Sequence, residues 1–179
     1  MMKNSLLFTI LGAFVLFGCA PPCPECPTVD MSSYQNNKAT LEKMFAGFES
    51  QELDSSILAE NFVEIGTGYE EPDRNKEESM ENWNGMMSMM SMNLKNAVYL
   101  PGVDTANFAL DGSVRYYGTW EMTMGEASKD LMAYGSMDFN EEGQITNLQH
   151  YADFTATVQA LMAENPEIME MMMQMTEEE

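Results

Sequence analysis

At 179 residues the chain is long enough for one domain with a real core and too short for two once its ends are set aside. Its 29 acidic residues against 8 basic ones give a net charge of −21, which opposes nucleic acid and anionic membrane surfaces, both polyanions. Apolar residues make up 45% and aromatics 10%, so it is not a disordered acidic chain.

The N-terminus reads as a targeting segment. Met1-Met2-Lys3-Asn4 is a short basic start. The apolar run from Leu6 to Phe17 suits a signal-peptide core and is too short to span a bilayer. It ends in Leu16-Phe17-Gly18-Cys19, which resembles the lipobox of bacterial lipoproteins: an aliphatic residue, a variable position, a small residue, then the cysteine whose thiol takes diacylglycerol. Residues 1–18 are therefore expected to be removed, with lipid on Cys19. The protein is then expected on the bacterial envelope, at the periplasmic face or the cell surface, joined to the membrane through that lipid. Residues 19–32 form a tether whose prolines favour extended backbone. Within it Cys23 and Cys26 make a C-x-x-C. No βαβ pattern follows, so a local disulfide or further tether chemistry is favoured over redox catalysis.

The domain is expected over residues 33–163. Leu41, Met44, Phe45 and Phe48 fall at i, i+3, i+4 and i+7, the apolar stripe of a first helix from about Ser33 to Ser50. Asp54 can cap a short second helix carrying Ile57 and Leu58. Asn61 to Ile65 alternates as a short strand, broken by Gly66-Thr67-Gly68. Asn75 to Glu78 fits a capping box opening a third helix, with Met80, Trp83, Met87, Met90 and Leu94 on its inner face. The period then becomes two. Val98 to Val103 is a strand with Pro101 near its end. Val114, Tyr116, Trp120, Met122 and Met124 share one face of a long strand, with Gly118 among them, and Leu131, Ala133, Gly135, Met137 and Phe139 share a face of the next. Asn140 to Gly143 makes a hairpin turn. Ile145 to Phe154 is the last strand, and Ala156 to Ala163 closes the domain. Helices followed by an antiparallel meander predict an α+β domain with helices on one sheet face.

Several phrases in this order resemble the nuclear transport factor 2-like superfamily, which includes ketosteroid isomerase and the SnoaL-like polyketide cyclases. They are Phe45 to Asp54, Leu58 to Glu64, Met137 to Ile145, and His150-Tyr151-Ala152-Asp153. The resemblance covers about residues 36–163 and implies a curved antiparallel sheet wrapped around N-terminal helices, with a pocket at the wide end of the cone. It places Glu64 and Gly66 inward on the first strand, Gly118, Trp120 and Met122 on the long strand, Gly135 and Met137 on the next, and Leu148, His150 and Ala152 on the last. The steroid isomerase needs two inward carboxyl groups. At those positions this chain has Gly66 and Gly135, so steroid isomerisation is not expected. The resemblance also implies a homodimer.

The residues left for chemistry are few. His150 is the only histidine and can move a proton near neutral pH. Glu64 can orient it or act as a base, and Asp153 matches an aspartate frequent in SnoaL-like cyclases. The expected ligand wall is Glu64, Trp83, Tyr116, Trp120, Met122, Met137, Leu148 and His150, with glycines leaving volume. Because Ile145 and Leu148 both look buried, a β-bulge is expected between them. No cofactor and no nucleic-acid partner are expected. Two clusters hold five methionines each, Met86 to Met92 and Met169 to Met175. Several of the first cluster pack inward by helical phase. In the acidic tail of 164–179, Met169, Met171, Met172, Met173 and Met175 are the candidates for Cu(I), since thioethers are soft ligands; contact with a protein or lipid is the other reading. The leading reading is a lipid-anchored cone that binds a small apolar or amphipathic molecule. The alternatives are a cyclase- or isomerase-type enzyme using His150 with Glu64 or Asp153, and a copper or protein contact through the methionines.

Overall fold

The structure is a computed structural model and describes residues 29–168. Cys19, Cys23, Cys26 and the Met169–Met175 cluster lie outside the described residues. Within them, no helix is long and apolar enough to cross a membrane.

The chain runs α1 (Ser32–Ser50), a 3-10 turn (Ser55–Ile57), β1 (Leu58–Ile65), β2 (Arg74–Asn75), α2 (Lys76–Met89), β3 (Ser91–Val103), β4 (Leu110–Met124), β5 (Ala127–Phe139), β6 (Ile145–Ala152) and α3 (Phe154–Glu164). The six strands form one curved, open sheet in the order β2-β1-β6-β5-β4-β3. It is an α+β architecture with the helices on its concave side. The expectation of an all-antiparallel sheet needs one correction. β1 lies parallel to β6, with Glu64 beside Leu148, and antiparallel only to the two-residue β2. A parallel neighbour needs a long crossover, and here the whole of β2 to β5 supplies it.

The apolar stripe of α1 is buried as its spacing predicts, with Leu41, Met44, Phe45 and Phe48 all in the core. The helix stops at Gln51, which takes the left-handed conformation and donates its N–H to the Phe48 carbonyl. α2 opens on the expected capping box: the Asn75 side chain accepts from the Glu77 and Glu78 amides, and Glu78 accepts from the Asn75 amide at 2.9 Å. The other end differs from expectation. The helix closes at Met89, and Leu94 belongs to β3, opposite Trp120 of β4. Residues four apart share a face in a strand as well as in a helix, so Met90 and Leu94 carried no information about which was present. Two other boundaries move for local reasons. Leu58 is strand rather than helix, because Asp54 caps only a single 3-10 turn, accepting from the Ser56 amide at 2.9 Å. β6 ends at Ala152 rather than Phe154, because Asp153 caps α3. The packed chain continues past 163: Asn165 is buried with its amide on the Leu161 carbonyl, and Ile168 rests on the core.

The core joins the α1 face to β4. Phe45 meets Tyr116 and Trp120 edge-on, at 4.7 and 5.1 Å between ring centroids, and Phe48 bridges Trp83 and Trp120. Both tryptophans are buried in this one cluster. On β6 both Ile145 and Leu148 are buried, which strict alternation forbids. Opposite Asp138 and Phe139 stand Asn147 and Ile145, so Thr146 is an extra residue. This bulge turns Leu148 and the residues after it back to the concave side.

Gly135 sits between Tyr116 on β4 and His150 on β6, its partners across both ladders. A Cβ there would stand 2.5 Å from Cε1 of Tyr116. The glycine is therefore covered by the tyrosine ring, as aromatic neighbours commonly cover strand glycines. Gly135→Ala should force that ring off its site and destabilise the fold by about 1–3 kcal/mol, the usual range for overpacking. Urea unfolding should show a lower midpoint at unchanged slope; an unshifted midpoint would mean the ring has room to move.

Candidate functional site

The sheet closes imperfectly on the helices and leaves a cavity of about 630 Å³. Its deep walls are apolar, from α1 (Met44, Phe45, Phe48), α2 (Trp83, Met86) and the sheet (Trp120, Leu131, Met137, Leu148). Its rim is polar and comes from the ends of β1 and β6 and the loop from Gly66 to Asp73.

Glu64 stands near the end of β1 and faces inward. Its Oε2 accepts from Ser79 Oγ at 2.8 Å and pairs with Arg74 Nη1 at 3.2 Å, and its Oε1 accepts from Trp83 Nε1 at 3.4 Å. Arg74 also donates to Glu71 at 2.7 Å. Glu71 in turn accepts from the backbone of Gly68 and Thr67, and the Gly68 amide with the Arg74 guanidinium holds its carboxyl below the usual range. One arginine thus braces two carboxylates across the rim. Desolvation of this network is compensated by good geometry, the condition under which a partly buried ion pair is tolerated.

His150 lies on β6 with Leu148 and lines the cavity, while Tyr151 points to the outer face. Its Nε2 is hydrogen-bonded to the Tyr116 hydroxyl, whose oxygen also accepts from Trp120 Nε1 at 3.3 Å. Thr67 Oγ1 ties the rim loop to the His150 carbonyl at 2.6 Å. Loss of water pushes the His150 pKa down to about 4, and burial raises that of Tyr116.

The cavity thus gathers Glu64, Trp83, Tyr116, Trp120, Met137, Leu148, His150 and Asp153 from the residues singled out in the sequence. Four expectations change. Met122 is fully buried beneath the wall and does not line the cavity. Among the described residues no hydrogen bond joins Glu64 to His150; the group that orients the imidazole is Tyr116. Asp153 caps α3, accepting from the Ala156 amide at 3.3 Å. The glycines do not supply the volume, since Gly135 is covered by Tyr116 and a Cβ on Gly66 would collide with the Glu71 carbonyl. Arg74, Glu71, Ser79 and Thr67 were not anticipated. A lone arginine after Glu70-Glu71-Pro72-Asp73, one of 8 basic residues in the chain, was the available signal for the first two. No cluster of three or more His, Cys, Asp or Glu residues suited to a metal occurs among the described residues.

No family model matches the chain, and no curated protein matches it in sequence. Solved structures match it in fold. A candidate polyketide cyclase from Xanthomonas campestris pv. campestris superposes with a TM-score of 0.54 at 16% identity, covering 66% of this chain and 91% of that one. The fold is that of the nuclear transport factor 2-like cone. An LEH-like epoxide hydrolase from M. tuberculosis has the same cone, with a TM-score of 0.53, 15% identity and coverage of 72% and 91%. So does a nuclear transport factor 2-like protein from Anabaena variabilis, at 0.55, 14%, 71% and 95%. At these identities the likeness is one of fold.

A depressed histidine pKa has a signed consequence for this cone. Between about pH 4 and about pH 6.5 the unfolded chain binds a proton at His150 that the folded chain refuses. This contribution to stability is complete above pH 6.5 and is lost as pH falls towards 4. It amounts to at most about 3 kcal/mol, less where cavity water solvates the half-buried ring. Denaturant unfolding at pH 7 and pH 4.5 should show a smaller drop for His150→Phe than for the wild type. Equal drops would show that His150 does not resist protonation.

Proposed function

We propose that this is a lipid-anchored envelope protein whose cone binds a small apolar or amphipathic molecule. The observation that carries the binding reading is the 630 Å³ cavity, apolar in its depth and polar at one end, within the size and character of small-molecule sites. The anchor reading rests on Leu16-Phe17-Gly18-Cys19 after a basic start and an apolar run. Turnover of the cyclase or isomerase type, with His150 and Glu64 or Asp153, is the second reading. It is supported by their sharing one cavity and by the polyketide cyclase and epoxide hydrolase names that two structural neighbours carry. Against it stand the Arg74 pairing of Glu64 and the resistance of His150 to protonation.

Mass spectrometry of protein made in a lipoprotein-exporting bacterium tests the anchor and the ligand together. The mature chain should begin at Cys19 with a diacyl adduct. Organic extracts should contain a small molecule in about equimolar amount that is lost from Ala152→Trp, which fills the cavity from its wall. An unmodified chain cut elsewhere would refute the anchor, and extracts identical for both proteins would refute the ligand.

We also infer that a second copy covers the outer face of the sheet. Val98, Tyr117, Tyr134 and Tyr151 stand in register across β3 to β6. The tyrosine rings lie 4.8 and 5.8 Å apart, and Met132 beside them is 76% exposed. The charged side chains of β3 to β6 that share this outer face are Lys95, Arg115, Asp111, Glu121, Asp130 and Asp138, so two bases offset half of its four acids, a smaller excess than in the chain as a whole, whose net charge is −21. Two such acidic chains can meet face to face only where their repulsion is least. Analytical ultracentrifugation should show a dimer that Tyr134→Glu converts to a folded monomer; a wild-type monomer at tens of micromolar would refute it.

A further inference from the structure

The hydrogen bonds around His150 determine which of its ring nitrogens carries the proton. Trp120 Nε1 is only a donor, and it points at the Tyr116 oxygen. Tyr116 is 1% exposed, so its own hydroxyl proton must find an acceptor inside the protein. His150 Nε2 is the acceptor in reach. The direction of the chain is therefore fixed: indole N–H to phenol oxygen, phenol O–H to Nε2. A neutral imidazole that accepts at Nε2 carries its proton on Nδ1.

Nδ1 makes no hydrogen bond among the described residues, and no fully buried side-chain nitrogen or oxygen lacks a partner. Nδ1 is therefore accessible, and His150 lines the cavity. Protonating the ring would place a second proton on Nε2 against the Tyr116 hydroxyl, leaving that buried O–H without an acceptor. This opposes protonation in the same direction as burial does. The other titratable side chains lining the cavity are Glu64, Glu71, Arg74, Asp153 and Tyr69; Tyr151 borders its mouth, but its ring stacks on Tyr134 in the outer ladder. Three of these side chains are acidic and one is basic, so the rim disfavours an anionic ligand.

We propose that Trp120 and Tyr116 act as positioning residues that hold His150 as a neutral Nδ1–H donor, and that the cavity selects an uncharged ligand bearing a hydrogen-bond acceptor such as a carbonyl. This rests on the cavity-binding reading and specifies its chemistry. Glu64 is held by Ser79, Arg74 and Trp83 and makes no hydrogen bond to His150 among the described residues. The ligand's apolar body would lie against Phe45, Trp120 and Leu148, with its acceptor at the rim.

The chain's only histidine gives an unambiguous spectrum. The full-length protein carrying 15N-labelled histidine should show, at pH 7, one imidazole with a protonated Nδ1 and an unprotonated Nε2. Tyr116→Phe should convert this to a mixture of tautomers and raise the pH at which the ring titrates. That readout would not respond to a merely structural role of the tyrosine. Wild-type protein with Nε2 protonated at pH 7 overturns the tautomer, whether or not the variant folds. For the ligand, three probes share two fused rings: 2-tetralone, tetralin and 2-naphthoate. 2-Tetralone should move the Nδ1 resonance saturably and bind about tenfold more weakly to His150→Phe. Tetralin should bind both proteins alike, and 2-naphthoate should bind worst. Equal responses to ketone and hydrocarbon would overturn the acceptor selection. Failure of all three probes to bind would instead overturn the cavity-binding reading and the selection with it, while the spectrum of the free protein decides the tautomer independently.

Discussion

The site depends on one steric fact, the absence of a side chain at residue 135. Gly135 lets the Tyr116 ring lie across β5 and put its hydroxyl on the imidazole of β6. Any larger residue would push the ring towards Phe45, which already meets it at 4.7 Å. The same ring is thus both core and site: its body completes the α1–sheet contact, and its oxygen sets the state of His150. Close-packed interiors transmit displacements instead of absorbing them, so a change under the ring reaches the imidazole.

This coupling also shows where sequence reasoning reached and where it stopped. Alternation along β4 and β5 was sufficient to place Tyr116, Trp120, Leu131 and Met137 on one face, because both strands are long and buried on one side only. The capping box fixed the start of α2 for an equally local reason. The pairing of β1 with β6 was not legible, since no local signal encodes a parallel partner separated by the whole of β2 to β5. From the sequence alone the glycines look like empty volume. A glycine in a strand marks either space or a close neighbour, and the sequence alone does not say which. The rim was missed for a related reason. Arg74 and Glu71 lie in a loop and a two-residue strand, where no periodicity exists to read, and their pairing with Glu64 is a tertiary event.

The charge of the chain is distributed with consequences. Most acidic groups sit on helices and loops. Basic side chains meet them at two places that matter here: the rim, where Arg74 joins Glu64 and Glu71, and the outer sheet face, where Lys95 bridges to Glu121 and Asp130 at 3.6 and 3.0 Å. Exposed pairs of the second kind add little stability. Their effect is to lower the local negative potential, so the tyrosine ladder can meet another surface. In the rim the same neutralisation is partial, and the remaining negative charge acts on whatever enters the cone.

The β6 bulge ties these features together. Without the extra residue at Thr146, a strand that starts with Ile145 inward would carry Gln149 and Tyr151 inward as well, and His150 outward. The imidazole would then lie on the outer face, and Tyr151 would leave the ladder it forms with Tyr134. One inserted residue therefore sets both surfaces of the sheet at once: the donor in the cone and the last rung of the aromatic face. A single deletion in β6 would exchange them, so the inner site and the outer face are not independent in sequence even though they are separated by the thickness of the sheet.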